Sequence, residues 1–85
     1  MMWLIRISDS ARKNIKRFPK SDQGRILDAL DTLSGNPFIS DITKLKGKKH
    51  NWRLRVGGYR VVFELFQKEK AIFIYSIKRR TTTTY

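Results

Sequence analysis

The sequence predicts an α+β domain of order β-α-α-β-β-β, with a helical hairpin packed on a mainly antiparallel four-stranded sheet. Three observations lead there. Apolar and polar residues alternate over residues 3–7 and again from Asn51; the stretch between holds two segments with apolar residues at helical spacing; and Gly57-Gly58 folds the later alternating region into a hairpin.

The large apolar residues of "WLIRI" make residues 3–7 the first strand. Ser8 then offers a side-chain cap to a helix that begins at Asp9, carries Ala11, Ile15 and Phe18 on one stripe, and runs until Pro19 stops it. Ser21 offers a second cap. Ile26, Leu27, Leu30 and Leu33 recur at helical intervals up to "SGNP", where Gly35 suits a left-handed C-terminal position and Pro37 prevents continuation. A loop over residues 38–41 leads into "ITKLKGKKH", with a short edge strand over residues 42–45, outside the count of four, and a basic turn around Gly47. From Asn51 the period is two, and Gly57-Gly58 supplies the positive φ values of a tight hairpin turn. "QKEK" makes a second polar turn, and "AIFIYSI" is apolar at nearly every position, as in a strand covered on both faces.

Residues 1–85 form one domain with one core, since a chain of 85 residues buries only about two thirds of the surface its unfolded form exposes. Cysteine is absent, so disulfides and thiolate metal sites are excluded, and no metal or other cofactor is expected. The apolar start is broken by Arg6 and Asp9, far short of the roughly 20 apolar residues of a membrane span, and the chain reads as cytoplasmic. The net charge is +12. Residues 1–43 carry seven basic and five acidic side chains, residues 44–85 twelve and two, so the second half is the expected surface for a polyanion or an acidic partner.

"NWRLRVGGYR" places three arginines around the two-glycine turn. With Gly57 and Gly58 as turn residues, Val56 faces Tyr59, Arg55 faces Arg60, Arg53 faces Val62 and Asn51 faces Glu64. Directly paired residues share a face, so Trp52, Leu54, Val56, Tyr59, Val61 and Phe63 form an apolar face while Arg53, Arg55 and Arg60 gather on the other. A loop of Gln67 to Lys70 in the second hairpin sets Ile77 opposite Arg60 and brings Arg79 to the same side, just past the strand end. Arginine suits phosphate because its planar fork donates two parallel hydrogen bonds and stays charged.

With these residues in place, the chain resembles the RelE/ParE superfamily of type II toxins, and more closely its RelE-like messenger-RNA endonucleases. The resemblance covers nearly the whole chain. It is carried by "SARKNIKRFPK", "KLKG", "WRLRVGGYRVVFEL" and "IYSIKRR" followed by a tyrosine. It implies a microbial-ribonuclease-type fold and ribosome-dependent cleavage of mRNA. It further implies that Arg60 contacts the scissile phosphate, that Arg79 supports developing charge, that Arg53 stands where relatives carry a catalytic lysine, and that Tyr85 orients or stacks on substrate. Asn51 departs from the pattern, because better-known members carry a second lysine there. The implied partner is a cognate acidic antitoxin, RelB-like, forming a toxin-antitoxin hetero-oligomer.

Attack of a 2′-hydroxyl on its neighbouring phosphate requires removal of a proton, stabilisation of an anionic transition state and protonation of the leaving 5′-oxygen. Arg53, Arg60 and Arg79 meet the middle requirement. Tyr85, Lys48, Lys49 and His50 remain open as the base, arginine being too basic for it. Lys44, Lys46, Lys48, Lys49, Arg55 and Arg80 read as RNA-backbone contacts. Two other readings stand beside the nuclease: a ParE-like toxin that inhibits DNA gyrase by protein binding, and a nonenzymatic nucleic-acid-binding module.

Overall fold

The structure, a computed structural model, describes residues 2–47 and 49–79. Its elements are β1 (Leu4–Ile7), α1 (Asp9–Lys16), α2 (Lys20–Gly35), a 3-10 turn (Pro37–Ile39), β2 (Ile42–Lys44), β3 (Asn51–Val56), β4 (Tyr59–Phe66) and β5 (Ala71–Arg79). The sheet has five strands in the order β1-β5-β4-β3-β2, one more than the count expected from sequence, because the short segment at Ile42–Lys44 pairs with β3 and extends the edge. Only β1 and β5 run parallel; the other pairings are antiparallel.

Both helices bury their stripes on one face of the sheet. Ala11 and Ile15 from α1, and Ile26, Leu30 and Leu33 from α2, meet Leu54, Val56, Tyr59, Val61, Phe63, Leu65, Ile72, Ile74 and Ile77 from the strands. Leu27 is not in this core: it is 52% exposed, one position off the buried stripe. Ser8 caps α1 as expected, its Oγ accepting from the Ala11 amide at 3.1 Å. The helix ends at Lys16, before Phe18, which is half-buried against the Tyr59 ring with centroids 4.5 Å apart.

Two helix-end expectations are corrected. Ser21 lies inside α2, which is entered from an extended Pro19 with no side-chain cap; Pro19 supplies the carbonyl accepting from the amides of Asp22 and Gln23. The Gln23 side chain donates back from Nε2 to the Phe18 carbonyl at 2.8 Å, which ties the two helices at their junction. Gly35 is not left-handed either. It is the last helical residue, and the chain leaves through an extended Asn36 whose side chain caps the following 3-10 turn.

The first hairpin has the expected register, Val56 opposite Tyr59 and Asn51 opposite Glu64. Gly57 alone takes the positive φ, +56°, and Gly58 does not, as in turns with the left-handed residue in the first central position. The second hairpin loop is Gln67 to Lys70, again as expected, with Phe66 opposite Ala71. Between them the ladder shifts at Val62/Phe63: Phe63 pairs with Ile74 but Val62 pairs with Ser76, leaving Tyr75 as an extra residue on β5.

The shift goes with contacts from β1 and α1, distant in sequence. β1 ends opposite Ile74, so the next carbonyls on that side of β5 have no strand amides to accept from. α1 and its cap take over: Ser8 Oγ donates to the Tyr75 carbonyl at 3.4 Å and Asn14 Nδ2 to the Ile77 carbonyl at 3.1 Å. β5 is also not covered on both faces. Ile72, Ile74 and Ile77 face the helices, while Phe73 on the other side is 36% exposed.

Candidate nucleic-acid interface

The face of the sheet away from the helices is built in rungs. Arg55, Arg60 and Lys78 form one, paired across β3, β4 and β5. Thr43, Arg53, Val62 and Ser76 form the next, and Asn51, Glu64, Phe73 and Arg6 the third. Rungs two residues apart along a strand are separated by about 7 Å.

Arg53, Arg55 and Arg60 share this face, as the first hairpin's register predicts, and Lys78 joins them, which the sequence alone does not predict. The one-residue shift at Val62/Phe63 puts Ile77 opposite Val61 instead of Arg60, and so turns Lys78 into the arginine row. It also overturns the expected side for Arg79. Arg79 pairs with Tyr59 on the helix-side parity, with its guanidinium carbon 6.0 Å from the Tyr59 ring centroid. The signal was present in the spacing Ile72, Ile74, Ile77, where the interval lengthens from two to three.

Like charges facing each other across a sheet destabilise it by roughly 0.2–1 kcal/mol per pair. The Arg55–Arg60–Lys78 rung holds two such adjacencies. Among the described residues, only Arg55 finds a carboxylate, Asp41 Oδ2 at 3.2 Å, with both side chains 59% exposed. Arg53 and Arg60 have no carboxylate partner among the described residues. Arg53 is half-buried between Thr43 and Val62, and Arg60 is exposed.

Asn51, at the start of β3, donates from Nδ2 to the Tyr75 hydroxyl across the intervening β4. The remaining basic candidates lie elsewhere. Lys44 shares the parity of Trp52, and with Lys49, His50, Phe38 and Leu65 it lines a groove of about 450 Å³ near the second hairpin loop. Lys46 and Lys49 flank Gly47 in an adjoining hollow of about 520 Å³. His50 packs on Phe66, ring centroids 5.1 Å apart. From Asn51 to Arg55 alone the strand runs about 13 Å, so this lysine corner stands well apart from the Arg60 row. Lys48, Arg80 and Tyr85 lie outside the described residues. Among the described residues no group of His, Asp and Glu could hold a metal ion.

At the opposite end Tyr59 is held from the helix side, its hydroxyl donating to Asp22 Oδ2 at 2.6 Å. The hydrogen bond to Asp22, then burial, raises the Tyr59 pKa above its ordinary value. Because the folded pKa is raised, the stabilisation is fully present below the unfolded tyrosine's pKa of about 10 and is lost as pH climbs through the folded value. Tyr59→Phe should therefore be less stable than the parent at pH 9, with the gap narrowing above pH 10. Urea titrations at both pH values check this, and a gap independent of pH would contradict the Asp22 bond.

The comparisons with known proteins agree with this architecture. The family model described as "ParE toxin of type II toxin-antitoxin system, parDE" matches residues 5–83. A Methanocaldococcus jannaschii protein named as a candidate toxin, RelE1, is 30% identical over 83 residues, covering 94% of this chain and 92% of that protein. Among solved structures, RelE in the archaeal RelE-RelB complex of Pyrococcus horikoshii superposes with a TM-score of 0.84 at 30% identity, over 98% of this chain and 100% of that one. The isolated Escherichia coli RelE toxin superposes at 0.79 with 15% identity, over 95% and 87%, a likeness of fold alone. The chain belongs to the RelE/ParE family of type II toxin-antitoxin toxins.

Proposed function

We propose that the protein is a ribosome-dependent endoribonuclease that cleaves mRNA, held inactive by a cognate acidic antitoxin. The observation that carries this is the rung Arg55–Arg60–Lys78 with Arg53 beside it, cations concentrated on an open sheet face at a cost to the fold. A substrate phosphate shared between them would turn that repulsion into binding. Family membership and the antitoxin complexes of relatives such as P. horikoshii RelE-RelB support the antitoxin partner.

In this reading the 2′-hydroxyl attacks the adjacent phosphorus, the bond to the 5′-oxygen breaks, and negative charge builds on the non-bridging oxygens. Arg60 donates to those oxygens as a fork, with Lys78 and Arg53 adding charge from either side. Arg79 lies at the same end of the sheet as Arg60 but on the helix-side parity beside Tyr59, so the role the resemblance implies for it would require its side chain to reach around the strand end. Asn51 does not titrate and is engaged with Tyr75, so it leaves the proton steps to other groups. The resemblance implies that Tyr85, outside the described residues, orients the substrate. No described helix is long and apolar enough to cross a membrane, and the reading places the protein in the cytoplasm with the ribosome.

Induction in growing cells tests the proposal. Mapped 5′ ends should reveal cuts in translated messages at the ribosomal A site, absent when translation initiation is blocked. The family model's ParE description favours one rival, inhibition of DNA gyrase by protein binding. Growth arrest with intact messages and accumulated double-strand DNA breaks would replace the nuclease reading with that one.

A further inference from the structure

The open face is not only cationic. Phe73 and Tyr75 lie on it side by side, ring centroids 6.4 Å apart and planes within 23° of parallel. Phe73 is 36% exposed. Tyr75 is the extra residue of the ladder shift, and its hydroxyl is held by Asn51 two strands away. Its side chain therefore reaches across β4 toward the rung of Asn51 and Glu64.

Nothing in the core asks for this arrangement. Ile72, Ile74 and Ile77 supply the buried side of β5, and an aromatic pair turned to solvent is a burden on a basic surface unless something flat covers it. Arg6 and Glu64 flank Phe73 in its own rung, and the further cations within one or two rungs point to what the occupant is. Arg53 lies one rung from Phe73, and Arg60 and Lys78 lie two rungs away, about 14 Å along the strands. An aromatic surface beside a track of cations is the pattern that takes single-stranded nucleic acid, bases on the rings and phosphates on the charges.

We propose that Phe73 and Tyr75 form a stacking platform for an unpaired RNA base one or two nucleotides from the phosphate at Arg60, and that Asn51 positions Tyr75 for it. The proposal rests on reading the arginine face as RNA-binding. It gives Asn51 a task in place of the lysine that relatives carry there: it holds a ring instead of handling a proton. Base identity is not read by hydrogen bonds in this arrangement, because stacking accepts any base.

Fluorescence anisotropy tests it with a single-stranded hexaribonucleotide and an abasic oligonucleotide of equal length and charge, bound to the full chain. The parent should bind the base-bearing strand about 10-fold tighter, within the roughly 5- to 150-fold range of one stacked base. Phe73→Leu with Tyr75→Leu should remove that preference while leaving affinity for the abasic strand unchanged. Tyr75→Phe keeps the ring and should keep most of it. Asn51→Ala should reduce the preference only when Tyr75 retains its hydroxyl, so its effect should vanish in the Tyr75→Phe background.

Equal affinity of the parent for the two strands overturns the proposal without recourse to any variant. So does a preference that survives the double substitution while binding of an antitoxin peptide is lost, which would give the face to a protein partner. Arg60→Ala should weaken both strands alike and leave the preference intact. Failure of the nuclease reading, seen as absent mRNA cuts, is thus separable from failure of the platform, seen as absent base preference.

Discussion

Phe63→Ala is expected to leave the domain at or below the edge of stable folding, with the urea midpoint shifted by a loss of about 3–5 kcal/mol. Phe63 has no exposed surface and sits mid-strand in β4, between Trp52 on β3 and Ile74 on β5. An ordinary domain of this size has on the order of 4–13 kcal/mol in total, so this one ring is a large share of it. The site is also poorly placed to collapse. Phe63 borders the ladder shift, and any inward movement of β5 would pull the Tyr75 and Ile77 carbonyls from Ser8 and Asn14. Phe73→Ala, removing the same group from the open face, should cost on the order of 1 kcal/mol or less. Equal losses at Phe63 and Phe73 would mean that both faces of the sheet are packed, against the burial observed.

The contrast between the two hairpins explains what the sequence could and could not convey. Gly57-Gly58 pins the register of β3 and β4 locally, because only a tight turn fits and two residues suffice to set it. All three arginine positions around that turn followed correctly. The loop from Gln67 to Lys70 was equally legible, yet the pairing of Arg60 was not, because the slip arises in the middle of the strand. Its determinants are Ser8 and Asn14, about 60 residues away in sequence, and such tertiary contacts leave no local mark. The only trace is the broken spacing of Ile72, Ile74 and Ile77, which a reading of "AIFIYSI" as uniformly apolar passes over.

Helix ends failed for a related reason. Ser8 is a cap by local chemistry alone, and it caps. Ser21 has the same chemistry, but Pro19 already fixes an extended entry two residues earlier, and its carbonyl accepts from the amides of Asp22 and Gln23. Charge alone nominates the lysines at 44, 46 and 49, and charge carries no information about which side of a strand or turn they occupy. The structure sets Lys44 and Lys49 on the Phe38–Trp52 groove and Lys46 in the hollow beside it, away from the arginine row.

Within the nuclease reading, Arg60→Ala is the substitution with the largest expected effect on function. Loss of one preorganised donor to a developing oxyanion costs about 10²–10³-fold in rate, and single-turnover cleavage on programmed ribosomes should fall by that much. Arg60→Lys should recover only part, since a lysine keeps the charge but cannot present the bidentate fork. Lys78→Ala should cost less, because Lys78 contributes charge from the neighbouring strand. Stability should move the other way. Arg60 stands between Arg55 and Lys78, so its removal relieves two like-charge contacts and should leave the urea midpoint unchanged or slightly raised. A rate loss accompanied by an equal loss of stability would mean that Arg60 holds the sheet together and does not act on phosphate. A rate loss with undiminished stability is what a residue kept for its substrate, at the expense of its own fold, has to show.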